Sequence, residues 1–328
     1  MLPTVLDRLG RAGVKSASVT FLVANGTHPA VGPEALNHLL GPLPPQVRVL
    51  EHDSRSTDLV AVGELRPGMP VHLHPAAVDC DLLMTIGTVR HHSFAGFGGG
   101  PRLVFPGVGG YEEIQANHAL VLRKTEGGPI REPACEPGRL VGNPVAEEIS
   151  RAASVVKPDM ALCTVEGRGG GIAWAVAGPC QSAFDAAVER TRSWYEVPCG
   201  EPLDFIVVGG GGAPTDSTLI QAHKAFDAGC RFLREGGEIL YFVALERGSG
   251  SPEMEPFLEN PRPEAILTAL DERWVQYGHT TLRIVEKTAR FRALLYSGFP
   301  TQDARDLGFE PVSDPEVVLD RWRADHPG

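Results

Sequence analysis

Two rhythms alternate along this chain: short β-branched or aromatic runs, and longer stretches in which apolar residues recur at helical spacing. The run SVTFLV at 18–23, residues 47–51 and 71–74, DLLMTIG at 81–87, and residues 160–165 and 171–176 predict strands. Helical spacing predicts helices over 4–12, from Pro33, from Tyr111, and over 144–156 and 179–195. Asn143 serves as N-cap of the fourth of these, with Pro144 at its first position. Residues 124–138, rich in Gly, Pro and charge, read as a surface loop, and VPCGEP at 197–202 as a linker. Beyond it the pattern predicts strands at 204–212 and 238–244, with helices at 217–234, 263–270, 279–290 and 315–323. Strands alternating with helices, without a visible repeat, predict an α/β fold. Two α/β domains are expected, residues 1–197 and 198–328, with mainly parallel sheets and an active site in the cleft between them.

Composition narrows the partners. The net charge of −11 lacks the basic face that nucleic acid requires. No stretch reaches the roughly 18 apolar residues of a membrane span, and the first residues lack the order of a signal peptide, so a cytoplasmic location is expected. The six cysteines are scattered without C-x-x-C spacing and read as thiols with no catalytic part.

Candidate chemistry concentrates between Thr85 and His118. A strand runs into His91 and His92, then a bend containing Gly96, Gly98, Gly99 and Gly100, then Arg102, then Gly107, Gly109 and Gly110, and a helix carrying Asn117 and His118. Glycine density of this kind fits places where the backbone takes φ > 0 or approaches a ligand closely. A second candidate is His28, at the carboxyl end of strand 18–23, where open α/β sheets gather ligands; the residues alone leave open whether it closes a turn or works at a site. His52, His72 and His74 read as ordinary polar positions, the last two on one face of a strand. The glycines at 209–212 lack dinucleotide-fingerprint spacing, although the helix start at 216–218 that follows them could receive an anionic group. Gln221 and Lys224, three apart, share a face of that helix.

The pattern H-x-F-A-G-F-x-G-G from His92, P-G-V from Pro106 and Y-E-x-I-x-x-N-H from Tyr111 resembles the nickel-dependent lactate racemase family. These are 2-hydroxyacid racemases and epimerases that use a nickel-pincer nucleotide. A-N-G-T-H (24–28), G-N-P-V (142–145) and L-I-Q-A-H-K-A (219–225) fall in the order the family has. The resemblance implies His28 and His92 as the paired acid/base residues and His118 as the protein ligand to nickel. It also implies cofactor contacts from Gly99, Gly100 and Arg102, and substrate or cofactor contacts from Gln221 and Lys224. Implied partners are a small 2-hydroxyacid and the proteins that make the cofactor.

Two departures modify these expectations. Arg102 stands where the lactate racemases have a lysine that tethers the cofactor through a thioamide; guanidinium is a poor nucleophile but grips carboxylates bidentately, so a non-covalently held cofactor is expected. The family also carries a segment with a D-x-T-R-P type motif ahead of A-N-G-T-H, and no such motif precedes Ala24. Two alternatives stand beside the racemase expectation. One is a degenerate, non-catalytic family member that binds a nucleotide or hydroxyacid; the other is a lyase or hydrolase with a metal on His28, His92 and His118.

Overall fold

The computed structural model describes residues 1–167 and 169–325. The chain divides into two compact units. One comprises Met1–Val121 with Glu132–Glu196; the other comprises Leu122–Arg131 with the chain from Val197 onward. Among the described residues no helix is long and apolar enough to cross a membrane.

In the first unit, strand Thr20–Val23 pairs in parallel with Arg48–Glu51. Strand Met84–Thr88 pairs in parallel with Met160–Glu166, whose other edge takes Ile172–Gly178 antiparallel. Side chains alternate across a strand, so Ala161, Cys163 and Val165 share one face; Phe184, Ala187 and Val188 of helix Cys180–Tyr195 cover them. An antiparallel hairpin, Val60–Arg66 with Met69–Leu73, completes the main pairing. Its return strand buries Val71 and Leu73 fully and turns His72 and His74 to the opposite face.

The second unit carries four parallel strands in sequence order: Leu203–Gly209, Leu233–Phe242, Arg292–Tyr296 and Glu310–Pro311. Right-handed crossovers between strands taken in that order put the connecting helices on one face. Accordingly Ile239, Tyr241, Ala293 and Leu295 pack in one core with Phe226 of helix Leu219–Cys230 and Leu282 of helix Gln276–Thr288. The other face, Leu240 and Leu294, packs with Val318 and Trp322 of helix Pro315–Asp325.

The surface-loop reading of 124–138 needs correction. Leu122–Thr125 and Gly128–Arg131 form an antiparallel hairpin that belongs to the second unit. Leu122 packs on the core there, while Lys124 pairs with Asp271 (3.0 Å) and Arg131 with Glu286 (2.9 Å). The charges that suggested a solvated loop are spent on partners distant in sequence.

Between helices Leu219–Cys230 and Gln276–Thr288 of the second unit, buried Asp227 accepts hydrogen bonds on both carboxylate oxygens from Arg283 at 2.8 Å, with Lys287 beside it. Burial alone would raise this carboxyl, but Arg283 and Lys287 override it and hold the acid well below the usual carboxylate range. A depressed folded pKa contributes stability that is complete above the unfolded value, about 4, and is lost as pH falls through and below it. Urea unfolding between pH 6 and pH 3 is expected to show the second unit losing on the order of 1–2 kcal/mol, a loss absent from Asp227→Asn. Equal pH sensitivity in the variant would contradict this role.

Candidate functional site

The turn after the first strand is built onto the glycine-rich stretch. Gly26, at φ +58°, donates its N–H to the Gly107 carbonyl (2.9 Å), and the His28 N–H closes the turn on Asn25 (3.0 Å). The Asn25 side chain reaches back to the His52 carbonyl (3.3 Å). His28 thus stands, exposed, at the end of a strand whose turn is docked on residue 107.

His52 is not the ordinary polar residue that the sequence suggested. It is 2% exposed, and its Nε2 lies 2.9 Å from the Gly109 carbonyl. His72 meets Glu113, and His74 Nδ1 accepts the Ala76 N–H at 3.1 Å. His52 and His72 therefore anchor the second glycine cluster and the helix beyond it, while the His74 side chain caps the short helix Pro75–Val78. The sequence signal for His52 was its place directly after a strand end, which spacing alone does not separate from a solvated turn.

His91–His92 pairs antiparallel with Gly96–Phe97. His91 faces away, with its Nε2 3.0 Å from Glu196 and its ring against Phe97. His92 Nδ1 accepts the Ala95 N–H (3.2 Å), which in the neutral ring leaves the proton on Nε2. The Phe94 ring stands edge-on to His92 (4.7 Å between centroids) and to His118 (5.2 Å). Asn143 fixes it in place. Fully buried, Asn143 caps helix Pro144–Val156 through Oδ1, and its Nδ2 donates to the Phe94 carbonyl at 2.8 Å. The cap was legible in the sequence; the second bond, across 49 residues, was not.

Gly99 and Gly100 have φ of +77° and +53°, and their Cβ positions are filled by the Thr88 carbonyl and the Phe184 ring. Their lack of side chain serves this packing, which leaves main-chain groups as what they can offer a ligand. Arg102 follows on a short 3-10 turn, Gly100–Leu103, and His118 ends helix Tyr111–His118.

His118 is 4% exposed, and among the described residues neither of its ring nitrogens has a hydrogen-bond partner. The same holds for Arg102 Nη1. Burial pushes the His118 imidazole down to about 3, and the nearby Arg102 guanidinium and His28 add to the effect. Burial lowers Arg102 to about 10, so it stays cationic at neutral pH. An unmade buried hydrogen bond costs about 1–3 kcal/mol per group, so three in one place mark a site reserved for something else. Its character is a neutral imidazole lone pair beside a fixed positive charge.

In the first unit His118 thus lies within electrostatic reach of Arg102 and His28 and shares the Phe94 ring with His92. Gln221 and Lys224 lie on helix Leu219–Cys230 of the second; both are exposed, and Lys224 Nζ donates to Gln221 at 2.6 Å. Among the described residues no three His, Cys, Asp or Glu side chains are assembled as a metal site, so the three-imidazole reading gains nothing from the geometry. A single imidazole suits a metal that arrives with its other donors already attached.

Because the folded pKa of His118 lies below the ordinary 6.5, the unfolded chain takes the proton first on acidification. The contribution is complete above about pH 6.5 and is lost as pH falls towards 3, amounting to about 2 kcal/mol at pH 5. The His118 ring resonances are expected not to move between pH 8 and pH 5 in an NMR titration. A midpoint above pH 6 would show that the imidazole is solvated.

Residues 1–128 match the family described as lactate racemase N-terminal domain. Lactate racemase from Thermoanaerobacterium thermosaccharolyticum is 28% identical over 275 residues, covering 83% of this chain and 62% of that protein. Lactate racemase from Lactiplantibacillus plantarum is 28% identical over 250 residues, covering 76% and 57%. The chain thus spans about six-tenths of the length of these two relatives. In structure it is similar to the lactate racemase apoprotein from T. thermosaccharolyticum, with a TM-score of 0.87 at 24% identity, covering 98% of this chain and 77% of that one. A Thermotoga maritima protein also shares the fold, at TM-score 0.69 and 18% identity, over 99% and 86% of the two chains. The motifs, the domain match and the two relatives agree: residues 1–128 form a lactate racemase N-terminal domain, and the chain is similar to lactate racemases over most of its length.

Proposed function

We propose that the protein racemises or epimerises a small 2-hydroxyacid by reversible hydride transfer, using a nickel-pincer nucleotide. The observation that carries this is the set of orphaned buried atoms, both nitrogens of His118 and Nη1 of Arg102, adjoining His28 and His92. The group fits what the residues offer. His118, kept unprotonated by burial, presents a lone pair to nickel, and metal binding needs the neutral ring. Arg102, cationic and partly desolvated, suits a carboxylate or thiocarboxylate on the pyridinium ring, and Gly99 and Gly100 offer main-chain contacts.

The bound group supplies a hydride acceptor that avoids deprotonating a weakly acidic carbon. The protein supplies the proton chemistry. His28 and His92, one for each face of the substrate, exchange the hydroxyl proton, a task for which imidazole is suited near neutral pH. With Nδ1 accepting from Ala95, resting His92 presents an Nε2–H that holds the substrate oxygen. To receive the hydroxyl proton there, the ring changes tautomer and gives up the Ala95 bond. Phe94, wedged against both His92 and His118, excludes water from the region between them. Gln221 and Lys224 are assigned to the substrate carboxylate, and the cofactor would come from its own biosynthetic enzymes.

Three experiments test this reading. Holoprotein given 2-hydroxyacids deuterated at C2 is expected to return the label to the racemised product; wash-out into water would contradict hydride transfer. His28→Ala and His92→Ala are expected to slow the reaction by about 10²–10⁴-fold. Intact-mass analysis of the denatured holoprotein is expected to give the bare polypeptide mass, because Arg102 forms no thioamide. A retained cofactor adduct would overturn the non-covalent assignment.

A further inference from the structure

The second unit holds a cavity that plays no part in the hydroxyacid reading. Strand Leu203–Gly209 runs into Gly210, Gly211 and Gly212, and the two neighbouring parallel strands end at Phe242 and Tyr296. Between these carboxyl ends lies a cavity of about 570 Å³, lined among others by Gly210, Gly212, Asp216, Phe242, Tyr296 and Ser297. A glycine run leading to a helix start would ordinarily invite an anion, as the sequence suggested for 216–218. The structure reverses that expectation, because a carboxylate already occupies the place.

Asp216 is 7% exposed. Its Oδ2 accepts the Ala244 N–H at 3.4 Å, while Oδ1 is buried and accepts from no group among the described residues. No salt bridge is made to it among those residues either. Gly210 is what makes its seat possible: a Cβ there would lie 2.7 Å from the Asp216 Cβ and 2.9 Å from Val243. Buried carboxylates are ordinarily paired, so this one lacks the cation that would compensate it. The Phe242 and Tyr296 rings, 5.5 Å apart between centroids with Tyr296 42% exposed, add aromatic faces of the kind that attract organic cations. Among the described residues a bare metal ion finds no set of three acidic, His or Cys side chains here.

We propose that this cavity binds a small organic ammonium, a primary or secondary amine. One N–H is donated to Asp216 Oδ1, and the hydrocarbon lies against Tyr296 and Phe242. The single unpaired carboxylate oxygen favours a ligand with an N–H over a quaternary ammonium, which can donate nothing. The assignment is independent of the racemase reading, since it uses none of the same residues.

Isothermal titration at pH 7 with benzylammonium chloride tests it on the full chain. Benzyl alcohol serves as the neutral isostere and benzyltrimethylammonium as the cation without N–H. Benzylammonium is expected to bind with one-to-one stoichiometry, about tenfold or more tighter than either control. Asp216→Asn is expected to weaken it about tenfold to hundredfold. Tyr296→Ala, at an exposed strand end that leaves the Asp216 bonds intact, is expected to weaken it a few-fold, roughly, and covers the case in which the Asp216 variant misfolds. The proposal is overturned if no saturable benzylammonium binding occurs up to millimolar concentration, if the alcohol binds equally well, or if both variants bind like the wild type.

Discussion

A neutral imidazole with both nitrogens buried and, among the described residues, without a hydrogen-bond partner is the constraint around which the first unit is arranged. Helix Tyr111–His118, which carries it, is pinned on several sides. Tyr111 donates its N–H to the Ser54 carbonyl (2.9 Å), Glu113 holds His72, and Asn117 donates to Val145 (3.2 Å) and Glu148 (2.9 Å). Arg66 in turn binds Glu148 at 3.2 Å, tying the hairpin Val60–Arg66 to the same helix pair. Bonds made by the neighbours of His118 thus offset the bonds that it does not make itself.

Electrostatics and packing reinforce one another there. Phe94 covers His118 and keeps it dry; dryness is the first cause of its low basicity, and the charge of Arg102 is the second. Both act to leave a lone pair available at a site that also carries positive charge. Such a combination would be wasteful in a core and is useful beside an electron-poor, partly anionic ligand. Asn143 links this pocket to the rest of the unit: its two ends serve a helix terminus and the backbone of the His92 loop at once, so the position of one acid/base candidate depends on a residue 51 positions away in the chain.

Much of this was visible in the residues. Runs such as SVTFLV and MALCTV became strands because β-branched and apolar side chains fit a half-buried pleat, and Asn143-Pro144 opened a helix as its chemistry requires. Roles for His28, His92 and His118 were expected from the resemblance alone; His118 lies within electrostatic reach of His28 and shares the Phe94 ring with His92. What sequence could not deliver was the set of partners distant along the chain. The hairpin Leu122–Thr125 with Gly128–Arg131 looked like a charged loop because Asp271 and Glu286 lie more than a hundred residues away. His52 looked solvated because its acceptor, Gly109, is 57 residues on. The glycines near Gly100 suggested a ligand cradle, whereas a large part of their reason is the Phe184 ring behind them.

The central claim is that His118 is withheld from protein partners so that it can hold a metal brought in by a cofactor. Loading of purified apoprotein with the nickel-pincer nucleotide, followed by gel filtration and measurement of nickel per polypeptide, addresses it directly. One nickel per chain in the wild type, and loss of that nickel in His118→Ala with the fold preserved, is the predicted result. Equal retention of nickel by the two proteins would contradict the account.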